Sequence, residues 1–259
     1  MNEFSSLVVA GTKLEYRWAG PPPEQAPTLV LLHEGLGSAG LWRNFPEKLS
    51  TATGLGVCSY SRAGYGGSDP DPPPWPLSYM ERHARQVLPQ VLDAIGFRRG
   101  LLVGHSDGAS IAALHAGRVG DPRVRGAVLM APHFFVEDLC IEAIREARVA
   151  YEQGELRARL QRHHGPNVDN AFYGWNIAWL DPDFRRWDIR DALRGIRVPL
   201  LLLQGLADPY GTRAQADAAQ EFCAARVDVH LMEGVGHAPW REAETETLAL
   251  IRAFAGETL

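Results

Sequence analysis

The segment Gly104-His105-Ser106-Asp107-Gly108 sets a serine between two glycines. Gly-x-Ser-x-Gly is the pattern of a nucleophile on a sharp strand-to-helix turn, where the flanking glycines let the backbone pack closely. The string is short, so its context decides. Here an apolar run, residues 101–103, precedes it, and a stretch rich in small residues (Gly108, Ala109, Ala112, Ala113, Ala116) follows. A strand feeding a helix is the context the motif requires. A serine hydroxyl is a poor nucleophile near neutral pH and needs an adjacent base, itself oriented by an acid. Asp208 lies in Gln204-Gly205-Leu206-Ala207-Asp208-Pro209, just after the apolar run 200–203. His237 lies in Gly234-Val235-Gly236-His237, just after a strand-like segment ending near Met232. Both fall on loops past strand ends, where open α/β sheets carry their sites. The chain order is serine, acid, histidine. The plainer readings are a helix cap at Ser106, an Asx-turn at Asp208 and a surface-loop histidine. Order and placement together favour acyl transfer by Ser106, His237 and Asp208.

A tetrahedral intermediate would also need preorganised N–H donors. The Asp107 N–H, at a helix N-terminus, is one candidate. The second is expected in the turn His33-Glu34-Gly35-Leu36-Gly37-Ser38, with Gly35 foremost and Leu36 or Glu34 as alternatives. Glu34 brings a carboxylate to the mouth of this site. It either selects cationic or hydrogen-bonding substrates, or turns away to pair with an arginine such as Arg62. His133 follows Met130-Ala131-Pro132 at a strand end and is expected near the site floor, as a substrate contact or a hydrogen-bonded wall. Phe172, Trp175 and Trp179 share one helix face at i, i+3, i+7. Packing is the plainer reading of that face. Trp175 and Trp179 are also candidates to roof an apolar substrate pocket. Tyr65 and Trp75 could border it.

Two other patterns carry less. Gly35-Leu36-Gly37-Ser38-Ala39-Gly40 fits Gly-x-Gly-x-x-Gly, but the next strand ends without an acidic residue to hold a ribose. His163-His164 lacks cysteine or carboxylate partners, and both are expected as solvent-exposed residues rather than metal ligands.

The elements that must position these residues alternate. Apolar runs at 28–33, 56–60, 100–105, 124–130, 198–204 and 228–232 read as strands, after an opening strand pair at 4–10 and 13–18. Helical patterns lie at about 41–49, 78–95, 107–119 and 242–254. Ser78 and Glu81 suggest a capping box, and Pro89 should kink its helix. Alternation of this kind implies a mostly parallel sheet covered on both faces. Residues 133–195 break it with helical patterns and many aromatics. They read as a helical cap inserted into a core formed by 1–132 and 196–259.

These motifs resemble the α/β-hydrolase superfamily over nearly the whole chain. The elbow, Asp208, His237, the His33 turn and Ser61-Arg62-Ala63-Gly64-Tyr65-Gly66-Gly67-Ser68 fall where its members carry matching segments. The capped, cofactor-free serine hydrolases are most similar: carboxylesterases, enol-lactonases, prolyl iminopeptidases and carbon–carbon bond hydrolases. The resemblance implies hydrolysis of a small to medium, apolar ester, lactone or thioester without a cofactor. Carbon–carbon bond hydrolysis of ring-cleavage products is the alternative, and a non-catalytic or slow-turnover ligand-binding protein on a hydrolase scaffold is the alternative of another class. One departure is Glu34, where that family usually has glycine.

Composition sets the remaining bounds. The 259 residues are 46% hydrophobic with a net charge of −5, and the cations are scattered among acids. A small-molecule substrate is expected, with no nucleic-acid or membrane partner. The three cysteines are dispersed and fit no disulfide framework or zinc pattern. With no signal-like N-terminus, a cytoplasmic protein is expected. Oligomeric state is not legible.

Overall fold

The computed structural model describes residues 4–259. Among them eight strands form one sheet: β1 (Ser5–Val9), β2 (Thr12–Ala19), β3 (Thr28–Leu32), β4 (Gly56–Tyr60), β5 (Gly100–His105), β6 (Val124–Met130), β7 (Leu200–Gly205) and β8 (Val227–Met232). Their order is β1-β2-β4-β3-β5-β6-β7-β8. The β1–β2 hairpin is antiparallel and joins β4 antiparallel, and the strands from β4 to β8 pair in parallel. This is the α/β-hydrolase fold.

The apolar runs form central strands because both faces are covered. Every residue of β3, β5 and β7 is buried. Successive side chains alternate between two cores, as strand geometry requires. Leu29, Leu31, Leu101, Val103, Val128, Met130, Leu201 and Leu203 pack on one face with the closing helix Glu244–Thr258. Val30, Leu32, Leu102, Ala127, Leu129, Leu200 and Leu202 pack on the other, with the helix Asp107–Arg118.

Several local expectations shift. The first helix spans Phe45–Thr53 rather than 41–49, with Pro46 in its first turn. There the missing N–H of proline costs nothing, whereas an interior position would lose a bond. The 78–95 pattern becomes three pieces: Tyr79–Arg82, a π-turn His83–Val87 and Leu88–Ala94. Pro89 cannot bond the preceding turn, and the π-turn beside it absorbs the mismatch. Ser78 makes no side-chain cap bond, so the capping box does not form. The closing helix begins at Glu244 and is preceded by a single turn, Pro239–Glu242. A helix not read from the sequence, Arg213–Phe222, connects β7 and β8.

Between β6 and β7 the chain is helical: Asp138–Glu152, Leu156–His164, Val168–Leu180 and Arg190–Leu193. The only strand-like pairing in this stretch is an isolated bridge between Phe135 and Asp188. The entry to the segment is pinned from the core. Ser110 Oγ donates to the His133 carbonyl at 2.7 Å, and Phe134 N–H donates to Gln215 Oε1 at 2.7 Å. No helix among the described residues is long and apolar enough to cross a membrane.

The two motif glycines are required by contact. A Cβ on Gly104 would lie 2.3 Å from the Gly108 carbonyl oxygen, and one on Gly108 would lie 2.0 Å from that of Leu32. Those obstacles are backbone and cannot rotate away. Gly108→Ala should therefore destabilise by at least about 1–3 kcal/mol. Gly256→Ala, which meets nothing within 4 Å late in the closing helix, should be neutral or stabilise by up to about 1 kcal/mol. Chemical denaturation of both variants checks the contrast.

Candidate active site

Ser106 sits between β5 and the helix Asp107–Arg118 with φ 52° and ψ −120°. This backbone state costs about 1–3 kcal/mol for a non-glycine residue and persists only when the surroundings enforce it. Enforcement comes from the glycine contacts above and from the Ser106 N–H, which donates to the Met130 carbonyl at 2.9 Å. The turn exposes the serine on a cavity of about 110 Å³. Its wall includes Glu34, Gly35, Ser106, His133, Trp175 and His237.

Asp208 and His237 meet on the loops after β7 and β8. His237 Nδ1 lies 2.9 Å from both oxygens of Asp208. The carboxylate is held from two further sides, by Tyr210 N–H at 2.8 Å and Gln204 Nε2 at 3.0 Å. Burial pushes the Asp208 carboxyl up, but the hydrogen bonds from His237 and Tyr210 outweigh it and hold the group below the usual carboxylate range. Asp208 is therefore an anion that accepts the Nδ1 proton and leaves Nε2 as the basic nitrogen. His237 and Ser106 line the same cavity, and no direct hydrogen bond joins them among the described residues. Tyr210 packs on the imidazole with ring centroids 4.6 Å apart.

The turn after β3 is organised from behind. Arg62, fully buried, donates to the His33 carbonyl at 2.5 Å and the Glu34 carbonyl at 3.0 Å. The His33 ring and Gly37 N–H also donate to the Glu34 carbonyl. Tyr65 O–H donates to the Gly35 carbonyl at 2.9 Å, and His164 Nε2 lies 3.0 Å from that of Leu36. A trans peptide directs its N–H opposite to its C=O. Tying the carbonyls of Glu34 and Gly35 rearward therefore turns the N–H groups of Gly35 and Leu36 forward, and both residues line the cavity. Asp107 lines it too, and its N–H, the first of a helix, has no intrahelical acceptor. Gly35 is glycine because a Cβ would lie 2.3 Å from the Trp175 ring.

Glu34 does not pair with Arg62, which takes only its carbonyl. Its carboxylate reaches His105 Nδ1 at 3.3 Å. His105 Nε2 donates to the His237 carbonyl at 2.7 Å, and the Trp240 indole lies 3.3 Å from Nδ1. Burial would raise the Glu34 carboxyl, but the bond and charge of His105 hold it down at about 2. His105 was not singled out from the sequence. Its signal is its place beside the serine, which directs it back under the His237 loop.

The remaining candidates divide. His133 is on the cavity wall, and burial pushes its imidazole down to about 3, so it is neutral. Trp175 and Trp179 are also on the wall, whereas Phe172 stacks on Tyr151 with ring centroids 3.6 Å apart. That helix face thus serves both packing and the pocket. Tyr65 and Trp75 are buried behind the turn. His163 is exposed as expected, but His164 is buried and bridges Gly66 N–H to the Leu36 carbonyl. Adjacent helical residues face different ways, so one histidine of the pair reached the interior. No group of three or more potential metal ligands occurs among the described residues.

Comparison with known proteins places the fold in a family. Residues 29–250 match the model of the Alpha/beta hydrolase family. The chain belongs to that family. This hydrolase superposes on the enol-lactonase from Burkholderia xenovorans LB400 with a TM-score of 0.73 at 18% identity, over 96% of this chain and 99% of the other. The esterase RhEst1 from Rhodococcus sp. ECU1013 gives 0.74 at 20%, over 100% and 99%. Naproxen esterase from Bacillus subtilis gives 0.73 at 18%, over 98% and 91%. At these identities the likeness establishes the fold. No curated protein matches the hydrolase by sequence.

The low Glu34 value has a consequence for stability. An unfolded glutamate titrates near about 4.3, so the folded chain binds fewer protons between there and about 2. The stabilisation is present above the unfolded value and disappears as pH falls toward 2. Melting temperature should be higher for the wild type than for Glu34→Gln at pH 5, and the margin should shrink to less than half by pH 2.5.

Proposed function

We propose that this hydrolase cleaves a carboxylic ester, lactone or thioester with a small, largely apolar acyl group through an acyl-enzyme on Ser106. Ser106 Oγ attacks the carbonyl carbon while His237 Nε2 takes the hydroxyl proton. Asp208 holds the imidazole and offsets its positive charge. The N–H groups of Asp107 and Gly35, with Leu36 as the adjacent alternative to Gly35, bind the oxyanion. The intermediate collapses, and His237 passes the proton to the departing oxygen or sulfur. Water, deprotonated by His237, then attacks the acyl carbon and releases the acid and Ser106.

The observation that carries this reading is the strained Ser106 backbone opening on the same cavity as a histidine held at both oxygens of a buried aspartate. Strain of this kind without a reacting partner would be a cost with no return. The helical segment 133–195 acts as the cap, with Trp175 and Trp179 as its roof. Cavity size supports a short acyl group, since a dry cavity of about 150 Å³ accepts benzene and this one is about 110 Å³. Charge narrows the class further. Glu34 and Asp107 line the cavity, Asp208 stands behind the His237 ring, no arginine or lysine is among the lining residues, and the buried Arg62 is turned to backbone carbonyls. An acyl group bearing a carboxylate would be repelled.

A fluorophosphonate should add one phosphonyl group to Ser106, read by peptide mass spectrometry. Ser106→Ala and His237→Ala should each lower kcat on p-nitrophenyl butyrate at least about a thousandfold with the far-ultraviolet spectrum unchanged. Substantial turnover by Ser106→Ala would refute the mechanism. In a matched pair of thioesters, butyryl should exceed succinyl in kcat/KM at least about tenfold. Preference for succinyl would refute the charge argument.

A further inference from the structure

The helix Val168–Leu180 lays one ring directly on the turn after β3. A Cβ built on Gly35 would stand 2.3 Å from both Cδ1 and Nε1 of Trp175 and 3.0 Å from Cγ, so the pyrrole side of the indole is what meets Gly35. The helix is held firmly at this point. Gly174 seats against Trp75, whose ring would lie 2.2 Å from a Cβ there, and one turn on the Trp179 indole donates to the Tyr79 oxygen at 2.9 Å. The Trp175 N–H differs from that of Trp179. It has no acceptor among the described residues. The nitrogen also keeps accessible surface, in a side chain that is otherwise buried and that lines the cavity with Gly35, Leu36 and Ser106.

Distance links this donor to the oxyanion turn. A Cβ stands about 2.5 Å from each of the two amide nitrogens that flank its Cα. Trp175 Nε1 therefore lies within about 4.8 Å of both the Gly35 and the Leu36 nitrogens. Two N–H donors that share one oxygen at about 2.9 Å each stand no more than about 5.8 Å apart. Whichever of the two amides holds the oxyanion, the indole is close enough to share its acceptor.

We propose that the Trp175 indole N–H is a third donor to the substrate carbonyl oxygen, which makes Trp175 a catalytic residue supplied by the segment 133–195. This rests on the acyl-enzyme reading and adds a group to it. Indole N–H donates and cannot accept, so its partner is an oxygen lone pair. The oxygen presented to this turn is the one that gains charge as Ser106 adds to the carbonyl carbon. A bond to it strengthens as the oxyanion forms, and so favours the transition state over the bound ester. The same contact explains why position 35 excludes a side chain: any Cβ would push the indole off the turn.

The test compares two ketones as competitive inhibitors of p-nitrophenyl butyrate turnover. 1,1,1-Trifluorohexan-2-one is electrophilic enough to react: Ser106 Oγ bonds to its carbonyl carbon, the hydroxyl proton passes to His237, and the carbonyl oxygen becomes an oxyanion. Hexan-2-one has the same chain and does not add. The ratio of their inhibition constants reports oxyanion stabilisation. Two variants are used: Trp175→Phe, and replacement of Trp175 by 3-benzothienylalanine, which keeps the bicyclic ring and puts sulfur where the N–H was. In both, the advantage of the trifluoroketone should fall at least about tenfold, kcat should fall by a similar factor, and hexan-2-one should bind as it does to the wild type. An advantage that persists in the benzothienyl variant would overturn the proposal. So would a fall seen in Trp175→Phe alone, which would assign the effect to ring shape. Either result leaves Ser106 as the nucleophile. No advantage of the trifluoroketone in the wild type would instead defeat the serine mechanism, and the proposal with it.

Discussion

Gly108 has no space for a side chain, because the first turn of its helix lies against the carbonyl oxygens of Leu32 and His33. That close approach of helix to sheet is the constraint from which the rest of the site follows. It brings the N-terminus of the helix onto the strand ends of β3 and β5 and leaves the connecting residue, Ser106, only a positive φ. The serine is consequently thrust out of the backbone toward the cavity, and the unpaired N–H of Asp107 points the same way. The strain is small against the burial of β3, β5 and β7, which fixes both sides of the turn. A looser contact would relax Ser106 into the helix and separate it from the histidine.

Electrostatics around that contact are divided by direction. Arg62, the one buried arginine or lysine among the described residues, lies behind the turn after β3 and directs its charge to backbone carbonyls, with the Tyr65 ring beneath it at 4.8 Å. The cavity side holds carboxyls and neutral or hydrogen-bonded imidazoles. No arginine or lysine lines the cavity, so oriented N–H groups are what a developing oxyanion meets there. Two carboxylate–histidine contacts converge on one loop: Asp208 grips the His237 ring, and Glu34 meets His105, which grips the His237 carbonyl. One orients the ring and the other holds the backbone that carries it.

How much of this is legible in the chain depends on whether the signal is local. The central strands are continuous apolar runs, and Ser106, Asp208 and His237 are marked by order and by position past those runs. The helix Arg213–Phe222 was missed although its buried face of alanines and Gln215 stands opposite exposed Arg213, Asp217, Gln220 and Glu221, because that face carries no large apolar side chain before Phe222. The Ser78 cap failed because its short helix is held by packing of Tyr79 and Met80 instead. Arg62 and His105 have roles set by partners 28 to 132 residues away, and no pattern of spacing reports these. His164 shows the same limit: nothing in His163-His164 distinguishes the exposed ring from the one that closes the turn.

The most direct test of the central geometry is a crystal structure of the enzyme after reaction with a fluorophosphonate. The phosphorus should be bonded to Ser106 Oγ, with one phosphonyl oxygen about 2.7–3.1 Å from the N–H groups of Asp107 and Gly35 or Leu36. The His237 ring should stand beside the serine oxygen, still bound to Asp208. A label on another residue, or a phosphonyl oxygen directed into solvent with the His237 ring turned away from Ser106, would contradict it.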